Sequence, residues 1–257
     1  GSGPTVVGLP GLGSTGHVWT PLATALGDAR VVAPDLRGRG GSSSAGGASG
    51  LRAHAADVAA LLEELDLRDV VLVGHSMGAF LAPVVAQQAQ GRVARLVLLD
   101  GGVPPKLPFF LGPRTTGVVF RRDLRKLDRA WPDARGFVQE VAGKALANRP
   151  DLVDEVVALT AHDLVGEPGR LRPRLDVDLA VADAVDTFHG PSVVPALEAL
   201  SVPAHLIAAS HGKHDRAKAF LSDATLAPWA SRLTVERVDA NHLTLLFSPE
   251  VPRAVAG

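Results

Sequence analysis

An α/β fold built on a mostly parallel, doubly wound sheet is the class this sequence predicts, and three observations predict it. Short apolar runs alternate with helix-compatible stretches over the first hundred residues and again towards the C-terminus. The pentapeptide Gly74-His75-Ser76-Met77-Gly78 lies between one such run and a helical stretch. From Gly101 to about Val194 the alternation stops, and a helical pattern broken by prolines such as Pro104, Pro132, Pro150 and Pro173 takes over.

The predicted strands are Thr5–Leu9, Ala29–Ala33, Val70–Val73, Arg95–Leu99, Ala204–Ala208 and Leu233–Val238. Each is a short strand-like run, and their alternation with helical stretches argues for a parallel sheet. A helix is predicted over Leu51–Leu65, with Val58, Leu61, Leu62 and Leu65 on one face, and another over Ala79–Gln90. Gly38–Gly50 is rich in Gly and Ser and reads as a mobile loop; it lacks the lysine and Ser/Thr of a phosphate-binding loop. The segment 103–194 is expected to form a helical cap inserted over the C-terminal edge of the sheet. Residues 1–102 and 195–257 then make up the core. Phe109, Phe110, Val118, Val119, Phe120, Trp131 and Phe137 are either the cap's own core or the wall of an apolar pocket, and Asp163 and Arg172 are a candidate bracing pair.

In strand-turn-helix context the pattern G-x-S-x-G carries chemistry. Its glycines allow a turn tight enough to lift the serine hydroxyl off the sheet edge. Ser76 is therefore the candidate nucleophile, and the Met77 N–H, at the open start of the following helix, is a candidate oxyanion donor. A serine nucleophile needs a base. Of the nine histidines, His242 is the best placed, just after the last predicted strand, with His211 and His214 as minor alternatives.

Leu9-Pro10-Gly11-Leu12-Gly13, Asp35-Leu36-Arg37-Gly38-Arg39-Gly40, the serine pentapeptide and Asn241-His242 follow one another along the chain. In order and spacing they resemble the α/β-hydrolase fold superfamily, in which the nucleophile comes first, the acid next and the histidine last. The resemblance implies a second oxyanion donor at the Leu12 N–H, with Pro10 standing where most relatives carry histidine. It also offers two places for the acid: Asp215, in a Gly212-Lys213-His214-Asp215 loop after the later strand, and Asp100, at the end of Arg95–Leu99. Asp215 is favoured, although it lies about three residues further from Pro203 than the family pattern leads one to expect. The activity implied is that of a serine hydrolase acting on a carboxylic ester or lactone of a small, largely apolar molecule. A C–C bond hydrolase, a cofactor-independent oxygenase, a perhydrolase and a low-turnover ligand-binding protein are the alternatives on the same fold. Serine at position 76 disfavours chemistry that needs a carboxylate nucleophile there.

Composition narrows the field further. Hydrophobic residues make up 46% of the 257, enough for a large core, and a formal net charge of −1 gives no electrostatic reason to expect nucleic acid or an anionic membrane as partner. The basic residues clustered between Arg114 and Arg129 read as a solvated helix face. With no cysteine, neither disulfides nor thiolate chemistry is available. No cofactor or metal is expected, and the expected partner is a small-molecule substrate. The sequence shows no run of about 18 apolar residues and no secretory pattern at its start, so a cytoplasmic location is the expectation. Met77 is the sole methionine. The resemblance also leads one to expect two short strands ahead of Thr5 that this sequence does not contain. No motif speaks to oligomeric state.

Overall fold

The computed structural model describes residues 3–215 and 217–257. Six strands form the main sheet: β1 (Thr5–Leu9), β2 (Arg30–Val32), β3 (Val70–His75), β4 (Val93–Leu99) and, after a long insertion holding the short pair β5 (Leu164–Val165) and β6 (Arg172–Pro173), β7 (Ala204–Ala209) and β8 (Thr234–Val238). The order across the sheet is β2-β1-β3-β4-β7-β8, and every neighbouring pair is parallel. All six predicted strands are observed, with ends displaced by one or two residues.

Side chains alternate between two cores, as the period of a strand demands. Val70 and Leu72 of β3, Leu96 and Leu98 of β4, and Leu206 and Ala208 of β7 enter one cluster. Val71, Val73, Val97, Leu99, Ile207 and Ala209 enter the other. With both faces covered, alternation of polar and apolar residues vanishes from these strands. The first core is closed by α2 (Leu51–Glu64) and α3 (Met77–Gln88), the second by α1 (Thr20–Leu26) and, near the C-terminus, the helix Glu250–Ala256. The buried stripe of α2 is Leu51, His54, Ala55, Val58 and Leu62. Leu65, expected on that face, is exposed just beyond the helix end.

The insertion between β4 and β7 carries α4 (Pro113–Arg125), α5 (Ala134–Val141), α6 (Val153–Ala161), α7 (Val177–His189) and α8 (Val193–Glu198). The remaining helices are α9 (Asp223–Leu226) and α10, the C-terminal Glu250–Ala256. Helix α4 packs along α7, α5 along α6, and α7 reaches both α2 and α3. The expected core boundary at 194/195 falls inside α8, whose Val193, Ala196 and Leu197 join the first core.

Two expectations for the insertion are corrected. Asp163 and Arg172 do not pair: Asp163 accepts a hydrogen bond from Thr15 Oγ1, and Arg172 binds the Asp128 carbonyl at 3.0 Å. Phe109, Phe110 and Val118 are not part of the cap's core but exposed, Phe109 completely. Trp131 and Phe137 pack edge to face on each other. Nor is the start of Gly38–Gly50 loose, because Gly40 N–H donates to Arg174 O at 3.0 Å and Asp176 N–H to Gly38 O at 2.8 Å. Among the described residues, no helix is long and apolar enough to cross a membrane.

Candidate active site

Ser76 joins β3 to α3 with φ 55° and ψ −120°, a conformation that costs an L-residue energy and persists only where its surroundings enforce it. The flanking glycines are enforced by close approach. A Cβ at Gly74 would stand 2.2 Å from the Gly78 carbonyl oxygen, and one at Gly78 would stand 2.0 Å from Leu9 O. The second contact packs the elbow against the end of β1, which places Ser76 beside the loop that follows that strand.

Helix α3 starts at Met77, so its first N–H groups have no intrahelical acceptor. Among the described residues, neither the Met77 nor the Leu12 amide is spent on a hydrogen bond. Both residues line a cavity of about 320 Å³ that also contains Ser76 and His242. Phe80, Phe120, Phe188 and Phe220 make its wall mostly apolar, while Asp123, Thr187 and Lys213 add polar groups. Of the aromatic set picked out in the sequence, only Phe120 reaches this wall.

His242 follows β8 in a turn organised by Asn241. The Asn241 Oδ1 accepts from the Leu243 and Thr244 amides at 3.0 Å, and its Nδ2 donates to Ala145 O and to Asp215 Oδ1, each at 2.7 Å. The carboxylate on the imidazole is Asp100, with His242 Nδ1 and Asp100 Oδ2 separated by 2.6 Å. An ionised carboxylate can only accept, so Nδ1 carries a proton, and in the neutral imidazole that leaves the lone pair on Nε2. Asp100 is fully buried, and its other oxygen accepts from Ala209 N–H at 3.2 Å. The preference for Asp215 is thus corrected. The pattern after β7 lies near His242, but its extra residues carry the carboxylate past the imidazole to Asn241, while the end of β4 delivers Asp100 directly. His211 bonds Asp239, away from this arrangement.

His75 lies beside His242, with ring centroids 4.7 Å apart. Its Nε2 is 2.8 Å from His242 O and must donate; its buried Nδ1 has no partner. Burial first, and then the neighbouring His242, push the His75 pKa down to about 3, against the smaller upward pull of the carbonyl hydrogen bond. His75 is therefore neutral at any working pH. Unfolded, it takes up a proton near pH 6.5, which the native state refuses until about pH 3. The stability it contributes is complete above pH 6.5 and falls as pH drops through that window, by roughly 1.4 kcal/mol per pH unit. Melting curves at pH 7, 5.5 and 4.5 are expected to decline less steeply in His75→Gln, whose amide still donates to the carbonyl. Parallel declines would contradict this account.

A family model described as alpha/beta hydrolase fold matches residues 4–140. The chain belongs to the α/β-hydrolase fold family. Non-heme haloperoxidase of Rhodococcus erythropolis is 49% identical over 77 residues, a stretch covering 30% of this chain and only 28% of that relative. N-formylmaleamate deformylase of Pseudomonas putida is 30% identical over 226 residues, 82% of this chain and 72% of that protein. The crystal structure of E-2-(acetamidomethylene)succinate hydrolase superposes with a TM-score of 0.78 over 99% of this chain and 91% of that one; at 23% identity the likeness is one of fold.

Within this α/β-hydrolase frame, sequence reasoning missed the charged cluster beneath the site. Arg39, His54 and Asp183 are almost wholly buried, with Arg39 and His54 both bonded to the Asp183 carboxylate. Arg39 stood in plain view inside Asp35–Gly40, but nothing in the local pattern of α7 marks Asp183 as its partner. Phe188 and Phe220 were likewise invisible, because they reach the cavity only through tertiary packing.

Proposed function

We propose that this protein is a serine hydrolase that cleaves a carboxylic ester or lactone of a small, largely apolar substrate through an acyl-enzyme. One observation carries the reading: His242, bonded through Nδ1 to Asp100, shares a cavity with Ser76, Leu12 and Met77. Ser76 Oγ attacks the carbonyl carbon while His242 Nε2 takes its proton, and Asp100 holds the imidazole tautomer and offsets the imidazolium charge. The Leu12 and Met77 amides receive the oxyanion. Collapse of the tetrahedral species passes the proton from His242 to the leaving oxygen. Water, deprotonated by the same histidine, then attacks the acyl carbon and releases the acid with Ser76 restored. In enzymes of this chemistry the serine–imidazole hydrogen bond commonly tightens only when substrate is engaged.

The four phenylalanines support an apolar acyl or alcohol group, and the insertion that supplies Phe120 and Phe188 is read as the cap that excludes water. Similarity to a deformylase over most of the chain supports hydrolysis. Perhydrolysis has one observation in its favour, the 77-residue likeness to non-heme peroxidases. Formation of peracetic acid from acetate and hydrogen peroxide, faster than hydrolysis of an aryl ester, would establish that reading instead.

A fluorophosphonate probe is expected to label one peptide, the one containing Ser76, and p-nitrophenyl acetate to release p-nitrophenol in a burst followed by steady turnover. Labelling mapped to another residue, or an unreactive protein that turns over no aryl ester, would remove the serine-hydrolase reading.

A further inference from the structure

Beneath the cavity lies a buried ion pair for which the reaction has no direct use. The Arg39 side chain is 1% exposed and that of Asp183 is 0% exposed. Arg39 Nη1 donates to Asp183 Oδ2 at 2.6 Å and to Arg37 O at 2.7 Å. The carboxylate also accepts from His54 Nε2 at 2.9 Å and from Gly50 N–H at 2.6 Å. Burial opposes ionisation of Asp183, yet the His54 hydrogen bond and the nearby Arg39 charge outweigh it and hold the carboxyl below its usual range. Removing two charges from water costs about as much as their attraction returns, so such a pair is weak evidence of stabilisation, and an apolar pair of similar volume often serves as well.

What distinguishes this pair is what else the guanidinium touches. Nε donates to Leu12 O at 2.9 Å, and Nη2 lies 3.9 Å from Met77 Sδ. Leu12 and Met77 are the two residues whose amides face the proposed oxyanion. On the other side, Asp183 belongs to α7, whose adjoining Ala184, Thr187 and Phe188 line the cavity. We propose that Arg39 is a positioning residue for the oxyanion hole: braced by Asp183, it fixes the Leu12 loop and ties it to the α7 wall without touching substrate. Holding the Leu12 carbonyl fixes the residue on which the donor amide sits, and an oxyanion donor displaced by a fraction of an ångström loses most of its value. This role rests on the serine-hydrolase reading above.

The deciding experiment replaces the pair together and separately. The double variant Arg39→Met with Asp183→Leu leaves no buried charge unpartnered, and Arg39→Lys keeps the charge but loses the fork. Both are compared with the unmodified protein for kcat and KM on p-nitrophenyl acetate, for inhibition by phenylboronic acid, and by thermal melting. Phenylboronic acid adds to Ser76 Oγ as a tetrahedral boronate, so it reports the hole directly. The expected result is a 10- to 100-fold fall in kcat with KM within threefold, and boronate affinity falling in step with kcat/KM in a protein that still melts cooperatively. Normal kcat and boronate affinity in a folded variant would overturn the role. So would a loss carried by KM alone. Should both variants fail to fold, Arg39→Gln, which removes the guanidinium that holds Leu12 O while leaving Asp183 bonded to His54, is held to the same criteria. Absence of Ser76-dependent turnover in the unmodified protein would instead overturn the serine-hydrolase reading on which this role rests.

Discussion

Ser76→Ala is expected to lower kcat for an aryl ester by about 10⁶-fold, the loss seen when a serine nucleophile that works as one unit with its base is removed. The residual rate would come from the oxyanion amides and from binding alone. Alanine keeps the Cβ and meets the same backbone conformation as serine, so melting temperature and KM should hardly move. That combination separates a nucleophile from a structural residue of the turn. Activity within tenfold of normal in a variant confirmed by mass would transfer the attack to another group, or to water bound by the cavity.

Asp100→Asn is expected to cost about 10⁴-fold in kcat. The amide can accept from Nδ1–H only if its oxygen faces the ring, and otherwise its NH₂ favours the tautomer that protonates Nε2, which cannot act as base. In either orientation the imidazolium of the transition state loses its counter-charge. Asp215→Asn should behave differently. Its oxygen can still accept from Asn241 Nδ2, so the bond under His242 is kept and only its charge assistance is lost, roughly 1 kcal/mol of stability, and kcat falls little. Rate measurements on the two variants, with thermal melts alongside, test both statements. A large loss in Asp215→Asn with Asp100→Asn nearly silent would return the acid to the later loop.

The sheet was legible because each strand is a short apolar run between turn-forming residues, and that signal is local. The serine elbow was legible for the same reason, since Gly74, Ser76 and Gly78 all act within five residues. The acid was not. Asp100 and Asp215 both stand after parallel strands, and the choice between them depends on how far Gly212–Asp215 carries its carboxylate beyond the imidazole, a distance set by three-dimensional loop geometry. Arg39 failed for another reason. A Gly- and Ser-rich neighbourhood suggested a loose loop, whereas Asp183, 144 positions later, draws that arginine out of solvent. Leu65 shows a smaller version of the same limit, because helical periodicity gives no warning that the helix stops at Glu64.

Ser76 and Asp100 both hold positive φ angles, 55° and 44°, at the ends of adjacent strands, and the Ser76 N–H donates to Leu99 O at 3.0 Å, one residue before Asp100. Glycine would relax either backbone by about 1 kcal/mol, with no side chain left to react or to orient the imidazole. Of the four described non-glycine residues with positive φ, two lie outside the site, at Asp66 and Asp69. Ser76 and Asp100 are ones proposed to do the chemistry, and there robustness and activity pull in opposite directions. Selection for thermal endurance alone would wear this site away from beneath, and directed evolution of the scaffold needs an activity screen at every round.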